Sequence, residues 1–175
     1  MKVKNIIELC KKKLLDDQKK DGHWLYELEA DATIPSEYIL MNHFLGIKHK
    51  NLEKKIALYL KKKQNSDGGW PLFWKGESNI STSVKTYYAL KLIGEKINSP
   101  HMKKARKKII ALGGTENCNV FTKISLALFG QISWKKIPIM PIEIMSAPYW
   151  FPFHINKISY WSRTVVVPLL IILDK

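Results

Sequence analysis

The pattern Gln-x-x-Asp-Gly-x-Trp occurs twice in this chain, first over Gln18–Trp24 and again over Gln64–Trp70, 46 residues later. Self-similarity at a period of roughly 20 to 50 residues means that one supersecondary unit is stacked beside its copies, because no single unit can bury its own apolar face. That constraint outranks any local reading. The invariant residues of the two copies, Gln18, Asp21, Gly22 and Trp24 against Gln64, Asp67, Gly68 and Trp70, are therefore expected to do the same structural work twice.

Each copy lies between two stretches of different character. Before the first, Val3, Ile6, Ile7, Cys10 and Leu14 fall at helical spacing among lysines; before the second, Leu52, Ile56, Tyr59 and Leu60 do the same. These are one-sided amphipathic helices. After each copy comes a more apolar helix opened by serine and closed by glycine, Ser36 to Gly46 and Ser81 to Gly94. Glu27, Glu29 and Asp31 precede the first of these, where acids suit the positive end of a helix dipole. A third unit lacks the Gln and Trp: lysine-rich Met102–Leu112, a Gly113-Gly114 break, then apolar Val120–Phe129. The expected hairpins cover roughly 3–46, 51–94 and 101–130. Strand signals are almost absent, so the expected fold is all-α, part of an α/α toroid (about half of an α6–α6 barrel) with apolar helices inside and one-sided helices outside.

From 131 to 168 the prolines at 138, 141, 148, 152 and 168 alternate with aromatic residues, which excludes a long helix before about Ile155. An apolar helix over 155–175 is expected to follow. Its segment Val165–Leu173 has no subsequent partner, and closing such a toroid takes on the order of six hairpins, so the chain is expected to be part of a larger protein.

Composition narrows the function classes. The formal net charge of +14 is carried almost wholly by lysine, with arginine only at 106 and 163, so forked base-reading contacts are scarce and nucleic acid is not expected as a partner. A solvated lysine face, or an anionic membrane surface, fits better. No apolar run reaches the roughly 18 residues of a spanning helix, and the N-terminal residues do not read as a secretory signal. Cys10 and Cys118 lack disulfide or zinc spacing and are expected to be buried thiols in a reducing compartment.

The residues resemble the N-terminal portion of the squalene-hopene cyclases, the bacterial class II triterpene cyclases. The resemblance is carried by Gln18–Tyr38, Asp67–Phe73, Asn119–Lys123, Met140–Met145, Trp150–His154 and Ser159–Thr164, and covers essentially the whole chain. The repeated motif resembles that family's QW repeats, in which the Gln amide is expected to satisfy backbone groups at a helix end while the indole stacks over it. The resemblance implies a monotopic enzyme on the inner face of the cell membrane that protonates squalene in an aromatic-lined cavity, without a cofactor. Its acid belongs to an Asp-x-Asp-Asp motif that these residues do not contain, since Leu14-Leu15-Asp16-Asp17 misses the first Asp. No catalytic residue is therefore assigned, and the chain alone is expected to be inactive and to need a C-terminal cyclase half. The same resemblance assigns Trp161, within Ser159–Thr164, to the substrate-facing wall, where an indole face can hold a passing cation. The competing expectation is a non-catalytic helical scaffold or interaction module, the remnant of a decayed gene. No metal site is expected: Asp16, Asp17 and Asp21 are misspaced for a diphosphate-metal motif, and His43 and His49 are six apart.

Overall fold

A computed structural model describes residues 3–26, 31–152 and 154–174. Glu27, Glu29 and Phe153, which the sequence reading used, lie outside these. The elements are α1 (Val3–Asp17), α2 (Thr33–Phe44), α3 (Lys50–Lys63), a two-residue strand pair β1 (Trp70–Pro71) and β2 (Ser78–Asn79), α4 (Ile80–Ile93), α5 (Pro100–Ala111), α6 (Val120–Leu128) and α7 (Tyr160–Leu173). The fold is all-α, an arc of α/α hairpins in which α2, α3, α5 and α6 all pack on α4.

The three inner helices end alike. Gly46, Gly94 and Gly130 each take a left-handed φ (73°, 104° and 65°), and the N–H that follows each donates to a carbonyl five residues back: Ile47 to Asn42, Glu95 to Leu90, Gln131 to Leu126. A glycine tolerates that conformation without a Cβ penalty, so helix ends with free carbonyls are closed by the backbone itself.

Their beginnings differ from the serine-capped expectation. Asp31 accepts from the Thr33 N–H (2.9 Å) and hydroxyl, and Asn79 and Asn119 accept from the N–H groups of Thr82 (3.1 Å) and Thr122 (2.9 Å). Ser36 and Ser81 lie inside their helices and are buried. Ser36 Oγ donates to the Ala32 carbonyl and meets Thr86 Oγ1 at 3.0 Å; Ser81 Oγ accepts from the Asn119 N–H at 2.9 Å. A serine can serve a helix start or a helix–helix contact with the same atom, and here the tertiary contact wins.

That contact also revises the picture of apolar inner helices. α4 is the most deeply buried element, yet Ser81, Thr82, Ser83, Lys85 and Thr86 are among its buried residues. Thr33–Thr82 (3.1 Å) and Ser36–Thr86 form a hydroxyl seam between α2 and α4, and the small side chains let two helices approach closely while each polar atom keeps a partner. The apolar core lies beside it: Ile39, Leu60, Trp70, Leu90, Met102 and Ala105 are each all but inaccessible to solvent.

The outer helices bury one stripe each, Glu53, Ala57 and Leu60 in α3 and Met102 and Ala105 in α5. α1 buries no residue, and Cys10 on it is exposed, correcting the expectation that both thiols are buried; Cys118 is buried, and burial pushes its thiol up. Beyond α6, single 3-10 turns at 134–136, 142–146 and 155–157 replace a helix. α7 starts at Tyr160, later than the expected Ile155, because Ser159 Oγ caps the Ser162 N–H at 3.2 Å. It runs through Pro168, whose missing N–H deprives the Thr164 carbonyl of its helical partner.

Candidate functional site

The two motif copies adopt one geometry. In each, the indole N–H donates over a distance of 2.7 Å to a carbonyl ten residues earlier, Trp24 to Leu14 and Trp70 to Leu60. In each, the Gln Nε2 donates to the carbonyl of the motif glycine at 2.7 Å, Gln18 to Gly22 and Gln64 to Gly68. The roles are thus divided differently from the expectation. Leu14 and Leu60 lie in the last turns of α1 and α3, where carbonyls lack an intrahelical donor, and it is the indole that satisfies them. The amide closes the turn.

The copies differ in what surrounds them. Trp70 is 0% exposed among α3, α4 and α5, and its backbone N–H donates to Ser83 Oγ at 2.9 Å; Trp24 is 45% exposed. Gln64 Nε2 also donates to the His101 carbonyl of α5 at 3.0 Å, so one amide ties its own turn to the next outer helix. Gly68 has a φ of 96°, and a Cβ there would stand 2.6 Å from the Lys104 backbone. Gly22 has a φ of 91°, and among the described residues a Cβ there would meet only Gln18 within 4 Å. Asp67 accepts from the Gly69 N–H (3.0 Å) and Ser78 Oγ (2.7 Å) and pairs with Lys108 (2.9 Å). Burial alone would raise its carboxyl, but the hydrogen bonds from Ser78, Lys108 and Gly69 hold it below the usual carboxylate range. Among the described residues Asp21 meets only a neighbour, His23, at 2.6 Å, and Asp17 is held by Lys13 and Tyr26.

Trp161 stands in the first turn of α7, 79% exposed, with its ring edge-on to Tyr160 at 5.9 Å. Tyr149 and Trp150 of the preceding proline-rich segment are exposed as well. The structure brings Trp161 together with none of the motif residues.

Two features had no sequence-level signal beyond one of two lysines in an otherwise small and apolar helix. Lys85 of α4, almost wholly buried, donates to Glu37 Oε1 of α2 at 2.6 Å. Beside that pair, Glu37, Leu40, Met41, Phe44, Ser125, Leu128 and Phe129 line an apolar groove of about 280 Å³, with Phe129 edge-on to Phe44 and Tyr88 at 5.9 and 5.4 Å. The groove suits a hydrocarbon; it offers one carboxylate, and Lys85 neutralises it.

The architecture and its paired staples define the class: a helical repeat protein whose hairpins are fastened by Gln–Trp turns. Residues 7–175 match the family model of the squalene-hopene cyclase N-terminal domain, and the chain belongs to that family. It is 53% identical over 171 residues to the squalene-hopene cyclase of Zymomonas mobilis, covering 97% of this chain and 26% of that protein. Against the enzyme of Bradyrhizobium diazoefficiens it is 54% identical over 160 residues, 91% of this chain and 24% of the relative. Against that of Alicyclobacillus acidocaldarius the identity is 36% over 162 residues, 93% and 26%. The chain thus spans about a quarter of the length of the curated relatives it matches.

Proposed function

We propose that this chain is the N-terminal part of a squalene-hopene cyclase, which converts squalene to hopanoid skeletons by proton-initiated carbocation cyclisation. The carrying observation is the family match over residues 7–175, at identities above 50% to named squalene-hopene cyclases. In this reading the 175 residues supply scaffold and part of the cavity wall, with Trp161 presenting an indole face to the substrate and the staple residues holding the hairpins that position it. The proton comes from an Asp-x-Asp-Asp acid elsewhere in the enzyme, for none occurs here. Protonating an unactivated alkene needs a carboxylic acid kept neutral in a dry cavity. Neither Asp17 nor Asp67 meets that need, since hydrogen bonds to Lys13 and to Ser78 and Lys108 hold the two in their charged forms.

Among the described residues no helix is long and apolar enough to cross a membrane, and peripheral seating on the cytoplasmic face accords with a lysine-rich surface and an apolar substrate. The test is product extraction after incubation with squalene. The 175-residue chain alone should form no cyclic triterpene, and a complete polypeptide carrying it should; hopene made by the chain alone would overturn the division of roles.

A further inference from the structure

Where α4, α5 and α6 meet, the structure holds a cavity of about 280 Å³ that has no part in the staples. Its floor is core: Val84 and Leu126 are buried, and Ile109 and Ile132 pack against them. Tyr88 stands beside them, 9% exposed and edge-on to Phe129, and its hydroxyl makes no hydrogen bond among the described residues. No enclosed side-chain oxygen or nitrogen of the described residues lacks a partner, so that hydroxyl opens into the cavity it lines. Burial pushes the phenol up, which keeps its proton available for donation. The rim is cationic. Lys91 of α4 and Arg106 of α5 line it, and neither is paired among the described residues. The acids neighbouring them in sequence are taken, Glu95 by Lys61 and His101 and Glu116 by Lys136.

We infer that this cavity binds a free amphiphilic anion, a carboxylate or phosphate on a short alkyl chain, with the chain against Val84 and Leu126, the headgroup between Lys91 and Arg106, and the Tyr88 hydroxyl donating to it. A guanidinium presents parallel N–H donors that match either headgroup, and an apolar cleft with a few convergent polar groups is the form in which small molecules are bound. The lining comes wholly from residues 84–132, so the site belongs to this arc of hairpins. It goes beyond the cyclase reading and does not rest on it.

The test is calorimetric titration of the complete polypeptide with octanoate, octyl phosphate, octanol and inorganic phosphate. At least one of the two amphiphilic anions should bind about tenfold more tightly than octanol and than inorganic phosphate, and the tighter of the two names the headgroup. Lys91→Gln/Arg106→Gln should weaken that binding about tenfold, and Tyr88→Phe about threefold. Both variants should keep the parent's thermal midpoint, since Lys91 and Arg106 are exposed and phenylalanine keeps the ring on Phe129. Octanol held as tightly as the anions, or anion binding unchanged in both variants, would overturn the inference. So would absent binding, which would mean that another segment of the complete polypeptide fills the cavity. Squalene turnover by the parent reports on the cyclase reading separately, whatever the titrations show.

Discussion

Replacing Trp70 with alanine tests the staple most directly, because its twin provides an internal control. Removing a fully buried indole costs about 3 to 5 kcal/mol through lost transfer energy and the cavity left behind. The Leu60 carbonyl then loses its donor at the end of α3, where the Gln64 N–H is turned to Lys61 instead, and an unsatisfied buried carbonyl adds about 1 to 3 kcal/mol unless water reaches it. The sum is about 4 to 6 kcal/mol if partial collapse of the site is allowed for. In a protein of this size each kcal/mol moves the thermal midpoint by about 2 to 4 °C, so a fall of about 8 to 24 °C is expected. Trp24→Ala removes a half-exposed ring making the same hydrogen bond and should cost about 1 to 2 kcal/mol. Trp70→Phe keeps most of the buried surface and loses the N–H, so it should fall between the two. The assay is thermal and urea unfolding of the three variants side by side. Equal shifts for Trp70→Ala and Trp24→Ala, or no shift for Trp70→Ala, would refute an argument built on burial and a satisfied carbonyl.

Three further outcomes follow from the same geometry. Gly68→Ala should lower the thermal midpoint well beyond Gly22→Ala: both need a left-handed φ, but only at Gly68 would the new Cβ strike the α5 backbone. Asp67 has a depressed carboxyl in the folded state, so its stabilising contribution is present above the unfolded carboxylate pKa and is lost as pH falls through the folded one; Asp67→Asn should therefore be less stable than the parent at neutral pH, with the gap closing in acid unfolding titrations. In the complete polypeptide Trp161→Ala should sharply reduce cyclised product while Asp16→Ala leaves it unchanged, measured by extraction of triterpenes; parent-level yield from Trp161→Ala would return that ring to ordinary packing.

Much of the architecture was legible because a repeated motif and helix-closing glycines are written in local sequence. Gly46, Gly94 and Gly130 needed only their φ, and the prolines of 131–158 needed only their missing donors. What escaped the reading depended on partners far along the chain. Ser36 has a cap's hydroxyl, but Thr86, fifty residues away, claims it. The division of labour in the staple was likewise invisible, since neither Gln64 nor Trp70 announces which will reach the helix-end carbonyl; distance decides, the indole spanning to Leu60 while the amide closes on Gly68. Lys85 read as one more lysine on a charged chain, although Glu37 across the seam holds it in the interior. Cys10 fits an apolar stripe, and only the helix's placement shows that this stripe is uncovered.

The two hydrogens of the Gln64 amide have a consequence for how such an arc comes apart. One closes its own turn on Gly68 and the other holds His101 at the start of the next outer helix, so loosening α5 weakens the hairpin before it as well as its own. Stability is then a sum over neighbours rather than over hairpins, as in a linear chain of coupled spins. Among the described residues the Gln18 amide has the Gly22 carbonyl as its sole partner, so the first unit is uncoupled from the second by one bond. Amide exchange should register that difference as a gradient, with α1 opening on its own and α3, α4 and α5 opening together.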